Sequence, residues 1–267
     1  MNKTIAFIGV GNMGSAILSG MLHSGDFQPC DIILSDPIKD KCLSFTEMGC
    51  RYSPDAASAA AEADVLVLAV KPQLIDQVML SFAAHAHNKL VLSIAAGVTI
   101  TRIANALPGA RIIRVMPNTP LQVGHGVTAI CRGSGVTDDE YSLACRIFSC
   151  SGTVFDAEED MLNPITALTS SSIAYFARFI GDMCAWGKDN GFDDPRMLLE
   201  LVCRSAVGTA EMLMQTEFTP QTLEAAVTSP RGTTERAMAV FTEHNLKKTV
   251  SDAMDACRKR ADELSGS

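Results

Sequence analysis

The stretch Ile5-Ala6-Phe7-Ile8-Gly9-Val10-Gly11-Asn12-Met13-Gly14 decides the fold. Its first four residues are a short apolar run bounded by glycine, which reads as a buried strand. Beyond Gly14 a helical pattern sets Ile17, Leu18, Met21 and Leu22 on one face and stops at Gly25. Between strand and helix stands Gly-x-Gly-x-x-Gly, and each glycine has its own reason. Gly9 permits a tight turn, Gly11 lets the backbone approach a pyrophosphate, and Gly14 lets the helix close on the strand. The helix start adds unpaired N–H groups and a positive dipole end. A glycine-rich turn without a ligand is the bland alternative; the strand before, the helix after and the βαβ continuation favour a dinucleotide.

The next strand, Asp31 to Ser35, ends at Asp36-Pro37. Asp36 lies about twenty residues past the glycines, where an acid would bind the adenosine ribose 2′-hydroxyl. That favours NADH over NADPH, because a carboxylate repels a 2′-phosphate; Ser35, Lys39 and Lys41 nearby offset the preference. Equally, Asp36 opens an Asp-Pro turn. Helical spacing follows at 38–48 and 55–63. Val65 to Val70 is the strongest strand, apolar on both faces as a central parallel strand must be. A helix at 73–86, strands at 90–94, 111–116, 126–130 and 153–155, and helices at 100–107 and 138–149, the last N-capped by Thr137, continue the series. The repeated βαβ order predicts a parallel sheet covered by helices on both faces. After Glu158 no strand is expected, and 161–189, 194–215, 219–227 and 233–264 all have helical periodicity.

The chain has 267 residues, 47% of them hydrophobic and 19% charged, which suits two globular domains. A formal net charge of −8 argues against nucleic acid or an anionic membrane as partner. Nine cysteines, with no Cys-x-x-Cys and no Cys/His cluster at zinc spacing, predict free thiols, a reducing compartment and no metal. No signal peptide is expected before the first strand, and no apolar run approaches the ~18 residues of a membrane span. The expectation is a soluble, cytoplasmic protein.

Loops at the C-terminal ends of the strands face the ligand crevice of an open α/β sheet. Ala69-Val70-Lys71-Pro72-Gln73, Ile94-Ala95-Ala96-Gly97 and Met116-Pro117-Asn118-Thr119-Pro120 all occupy such positions. The small residues at 95–97 would let a nicotinamide ring lie against the backbone. The cofactor-binding set expected is therefore Gly9, Gly11, Asn12, Met13, Gly14, Ser35, Asp36, Ala69, Val70, Lys71, Pro72, Ala95, Ala96 and Asn118. His23, His85, His87, His125 and His244 have no evident partner and read as surface residues.

Residues 9–14, 69–73, Ser-Ile-Ala-Ala-Gly-Val-Thr at 93–99 and Arg-Val-Met-Pro-Asn-Thr-Pro at 114–120 together resemble the pyrroline-5-carboxylate reductase family. So do Ile165 to Tyr175, which resembles that family's serine- and glycine-rich helix start, and Thr228-Ser229-Pro230-Arg231-Gly232-Thr233-Thr234, which resembles its substrate loop. The resemblance implies a Rossmann dinucleotide-binding domain at 1–158 and an all-α dimerisation and substrate domain at 159–267, joined in a homodimer or larger homo-oligomer. It implies reduction of 1-pyrroline-5-carboxylate to proline, a hydride passing from NADPH, the usual family cofactor, or NADH. It places the substrate between the nicotinamide of one subunit and the helical domain of the dimer. Carried over by position, Ser229, Gly232 and Thr233 bind the substrate carboxylate and Thr234, the catalytic candidate, hydrogen-bonds the ring nitrogen. The residue types agree: hydroxyls and exposed N–H groups opening a helix make an anion site. Read without the resemblance, the same loop is a helix N-cap cluster. The apolar faces with Phe176, Phe179, Ile180, Met183 and Trp186 read as core or dimer interface.

The sequence departs from the family pattern at Ser170, Ser172 and Ile173, where glycine, glycine and proline are expected, and at Arg231, where glycine is expected. Arginine there could bind a carboxylate in bidentate fashion or fill the pocket. Two alternatives stay open: a reductase of a related cyclic imine or 2-oxo acid, and a non-catalytic paralogue that binds dinucleotide.

Overall fold

The structure is a computed structural model that describes residues 3–265. Eight strands form one sheet: β1 (Ile5–Ile8), β2 (Ile32–Ser35), β3 (Arg51–Tyr52), β4 (Val65–Leu68), β5 (Leu90–Ser93), β6 (Arg111–Met116), β7 (Gly126–Arg132) and β8 (Gly152–Asp156). Their order is β3-β2-β1-β4-β5-β6-β7-β8. The order reverses direction at β1, which is flanked by β2 and β4, so the crevice above β1 and β4 is the topological switch point where open α/β sheets bind ligands. Strands β1, β2, β4 and β5 are buried at every position, because helices cover both faces. On one face Ile5 and Phe7 pack with Ile17, Leu18 and Met21 of α1 (Asn12–Ser24) and with Ile147 and Phe148. On the other, Ala6 and Ile8 pack with Ala59 and Ala60 of α3 (Ala56–Glu62) and with Ile75, Met79 and Phe82 of α4 (Ile75–Phe82). The helix between them in sequence is the short α2 (Leu43–Glu47), entered through a 3₁₀ turn at Lys39–Cys42.

The fully parallel sheet expected from the sequence needs one correction: β7 runs antiparallel to β6, and β8 then pairs parallel with β7. A parallel return needs a crossover of about a dozen residues or more, whereas residues 117–125 carry only a 3₁₀ turn, Thr119–Val123, and no crossover helix. Two-residue β3, which no alternation in the sequence marks as a strand, pairs with β2. The helix expected at 73–86 is helical only over α4, with 3₁₀ turns at either end. Between β5 and β6 comes α5 (Ile100–Ala106), and between β7 and β8 comes α6 (Asp138–Ser149), which starts at a full capping box on Thr137 and Glu140.

The remaining elements are α7 (Leu162–Ile165), a π-turn at Thr166–Ser170, α8 (Ser172–Asp189), α9 (Pro195–Gln215), α10 (Pro220–Val227), α11 (Thr233–Glu243) and α12 (Leu246–Ser265). The single helix expected at 233–264 is broken at His244–Asn245, where Asn245 adopts φ 50°. Contacts divide the chain into two compact units, one reaching to Ser170 and taking in residues from Arg258, the other Ser171–Cys257. Residues 159–170 thus go with the sheet, because Leu162 and Ile165 pack on Met116, Ala129 and Cys131. Asn163 ties the returning C-terminal helix to the same unit by donating to Asp262 (2.9 Å). All nine cysteines are free. Among the described residues no helix is long and apolar enough to cross a membrane, and no cluster of metal-ligating side chains occurs.

Candidate active site

The glycine turn is held from three sides. Gly9 N–H donates to Ser35 O (2.8 Å), and Ala69 N–H donates to Ile8 O (2.9 Å). Val10 N–H donates to Asp36 Oδ2 (2.9 Å). Gly9 has φ +99°, and a Cβ there would stand 2.6 Å from Ala69 O; a Cβ on Gly14 would stand 2.7 Å from Gly9 O. Both positions exclude any side chain. A Cβ on Gly11, by contrast, would meet no protein atom within 4 Å and would project into open space at the start of α1. No side chain caps that helix, so its first-turn N–H groups at Asn12, Met13 and Gly14 stay available. Backbone donors around a cradle that a Cβ would fill are what a pyrophosphate needs, and the residues present fit a dinucleotide.

Two clefts open from this turn. One, of about 490 Å³, is lined by Gly9, Gly11, Ser35, Asp36, Pro37, Ile38, Lys41 and Pro54–Ala56. The other, of about 590 Å³, is lined by Asn12, Met13, Ile94–Ala96, Met116–Thr119, Pro72 and Ser170. Gly11, Lys41, Ala69, Val70 and Lys71 border both. The structure therefore gathers every expected cofactor residue around one rim, Gly14 serving beneath it as a packing position.

Asp36 is buried, 5% exposed, and its carboxylate is fully engaged. Oδ2 accepts from Val10 N–H, Oδ1 accepts from Ile38 N–H (2.9 Å), and Lys41 Nζ donates to the pair at 3.3–3.4 Å. Asp36 thus braces the glycine turn as well as opening its own turn. Lys41, half-exposed at the junction of the clefts, is the cation the sequence offered only as a neighbour. Asn118 is also buried and engaged: Nδ2 donates to Thr169 O (2.8 Å) and Oδ1 accepts from Val127 N–H (2.8 Å). Glu159, unmarked by any motif, accepts from Ile100 N–H (2.7 Å) and from buried Arg114 (3.1 Å), and so fixes the loop that follows β5.

The second unit carries the expected substrate loop. Gly232 N–H donates to Ser229 O (2.9 Å), forming a tight turn before α11. Arg231 sits at φ 61° and its N–H donates to Glu235 Oε2 (2.7 Å). Gly232 occupies the N-cap position with no side-chain cap, leaving the first-turn N–H groups of α11 open beside the Thr233 and Thr234 hydroxyls. The side chains of Ser229, Arg231 and Thr233 are exposed. All five histidines are exposed as well, consistent with the sequence reading.

Residues 159–264 match the family model for pyrroline-5-carboxylate reductase dimerisation, and residues 4–97 match the model described as NADP oxidoreductase, coenzyme F420-dependent. The pyrroline-5-carboxylate reductase of Synechocystis sp. is 37% identical over 267 residues, 99% of each chain. The chain belongs to the pyrroline-5-carboxylate reductase family. Solved structures of pyrroline-5-carboxylate reductases agree. That from Coxiella burnetii is 33% identical and superposes with a TM-score of 0.91 over 99% of both chains. That from Plasmodium falciparum, described with NADP bound, is 25% identical with a TM-score of 0.91 over 99% of this chain and 98% of the other. A family member is thus a Rossmann-type sheet followed by a helical dimerisation domain, the architecture the sequence implied.

Proposed function

We propose that this reductase converts 1-pyrroline-5-carboxylate to L-proline with a reduced nicotinamide dinucleotide. The observation that carries the reading is the dinucleotide-shaped rim at the switch point of a chain that matches pyrroline-5-carboxylate reductases along its whole length. The reduced nicotinamide supplies the hydride when bound. Gly11, Asn12 and Met13 would hold the pyrophosphate on the start of α1, and Ala69 to Pro72 with Ala95 and Ala96 would wall the nicotinamide end. The open N–H groups of α11 with Ser229, Gly232 and Thr233 hold the substrate carboxylate, and the Arg231 guanidinium adds a cation to them. Thr234 would donate its hydroxyl hydrogen bond to the ring nitrogen, so that the carbon beside it becomes electrophilic; as the hydride reaches that carbon, the nitrogen takes its proton from solvent, and no histidine or lysine is needed to supply it.

For the cofactor's 2′ position we infer a preference for NADPH. Asp36 is neutralised by Lys41 and spent on two backbone N–H groups, so it repels a phosphate less than a free carboxylate would, while Lys41 lines the cleft. The deciding experiment is a spectrophotometric assay with 1-pyrroline-5-carboxylate, run in parallel with NADPH and NADH. Turnover with both, faster with NADPH, is expected. Lys41→Met should then raise KM for NADPH about tenfold and leave that for NADH nearly unchanged, as removal of one charge-assisted contact worth ~1.5 kcal/mol would do. Thr234→Ala should cut kcat by roughly 10²-fold with unchanged dinucleotide affinity. Absence of turnover in folded protein that still binds dinucleotide would favour the non-catalytic reading.

A further inference from the structure

Ser170 closes the π-turn that links α7 to the helix beyond it, and its hydroxyl is the one buried side-chain nitrogen or oxygen among the described residues that no protein group satisfies. Its neighbours show the contrast. Thr166 Oγ1 donates to Leu162 O (2.7 Å) and Thr169 Oγ1 to Ile165 O (2.9 Å), the usual back-bond for a hydroxyl in a helix. Ser170 forms no such bond and instead borders the 590 Å³ cleft together with Ala95, Ala96 and Asn118. The position is fixed, because Asn118 holds Thr169 O, one residue away, while its own other end is held by Val127. A hydroxyl buried without a partner costs about 1–3 kcal/mol, and single π-turns recur where function needs a side chain re-aimed.

The two clefts assign the ligand's ends. The cleft beside Asp36 and Pro54 lies at the C-terminal end of β2, where an adenosine belongs, so the nicotinamide falls to the cleft beside Ala95 and Ala96. The group on that ring able both to donate and to accept is its carboxamide, which complements a hydroxyl. We propose that Ser170 Oγ is a positioning contact for the nicotinamide carboxamide, and that it sets the rotation of the ring on the Ala95–Ala96 wall. The proposal rests on the dinucleotide reading above.

Calorimetric titration of the full-length protein tests it, with NADP⁺ against 2′,5′-ADP and with NAD⁺ against ADP-ribose, the second of each pair lacking the nicotinamide. Ser170→Ala should weaken binding of the complete dinucleotides by about 5- to 10-fold and leave the two fragments unchanged; Ser170→Cys, which keeps the volume, should fall between. Equal weakening of dinucleotide and fragment would mean that the π-turn has merely collapsed, and it would overturn the proposal. So would unchanged dinucleotide affinity, whether or not KM for the imine rises. If the unaltered protein bound neither dinucleotide nor fragment, the cofactor reading itself would fail, a result distinct from the failure of Ser170 alone.

Discussion

Gly9 and Gly11 are two residues apart and do opposite things. Gly9 is needed by the fold: φ +99° and a carbonyl 2.6 Å from any added Cβ leave no room for alanine. Gly11 is needed only by what binds, since its φ of −80° suits any residue and its Cβ would meet no protein atom. Gly11→Ala should therefore leave the thermal midpoint within error and reduce dinucleotide affinity by at least tenfold, whereas Gly9→Ala should lower the midpoint by several degrees, a loss of about 1–3 kcal/mol. Matching losses in both assays for both variants would refute the division of labour. The motif was legible in the sequence because backbone requirements leave glycine as their trace. Engagement was not: Asp36 read equally as ribose ligand or turn residue, and only the placement of Val10 and Lys41 showed where its oxygens point. Ser170 was visible as a departure from a pattern, but its unpaired hydroxyl depends on which carbonyls the π-turn turns away.

Among the elements, α6 shows local and distant interactions joined in one side chain. Glu140 completes the capping box by accepting from Thr137 N–H (3.1 Å), and it also accepts from Nε and Nη2 of Arg111, at the start of β6 (2.7–2.9 Å). Burial raises the Glu140 carboxyl, but the bonds from Arg111 and Thr137 outweigh it and hold the group below its ordinary value of 4.5. A carboxyl depressed in the folded state stabilises fully above its unfolded value, and that stabilisation is lost as pH falls through the folded value. Glu140→Gln should thus cost about 1–3 kcal/mol at pH 7, and the difference from the unaltered protein should shrink as pH is lowered below 4.5. Urea unfolding midpoints at a series of pH values read this directly; a difference that stays constant with pH would exclude the ionised pair as its source. The Thr137 cap was legible because it is local, whereas its pairing with Arg111 was not, since that needs β6 to lie beside the helix. No local signal marks the break at Asn245: 233–264 keeps helical periodicity through it, and only the backbone turn at φ 50° shows the stop.

At the scale of the whole molecule, the helical unit leaves Phe176, Trp186 and Met214 exposed at 68%, 67% and 75%. Apolar surface of that kind marks an interface, and the matched family model is a dimerisation domain. We expect the protein to sediment as a dimer or larger homo-oligomer, and Phe176→Asp combined with Trp186→Asp to shift it to monomer by light scattering at micromolar concentration. An unaltered mass in a folded double variant would place the interface elsewhere. Two classes of information thus separate. By itself the sequence determined the βαβ order, the glycine turn, the all-helical second half and the family, because each is written in local backbone chemistry and in periodic burial. Only the tertiary structure decided that β7 runs antiparallel, that residues 159–170 pack on the sheet, and that the charge of Asp36 is met by Lys41. Those outcomes depend on which distant groups come within hydrogen-bonding and packing distance, and no local pattern in the chain encodes that distance.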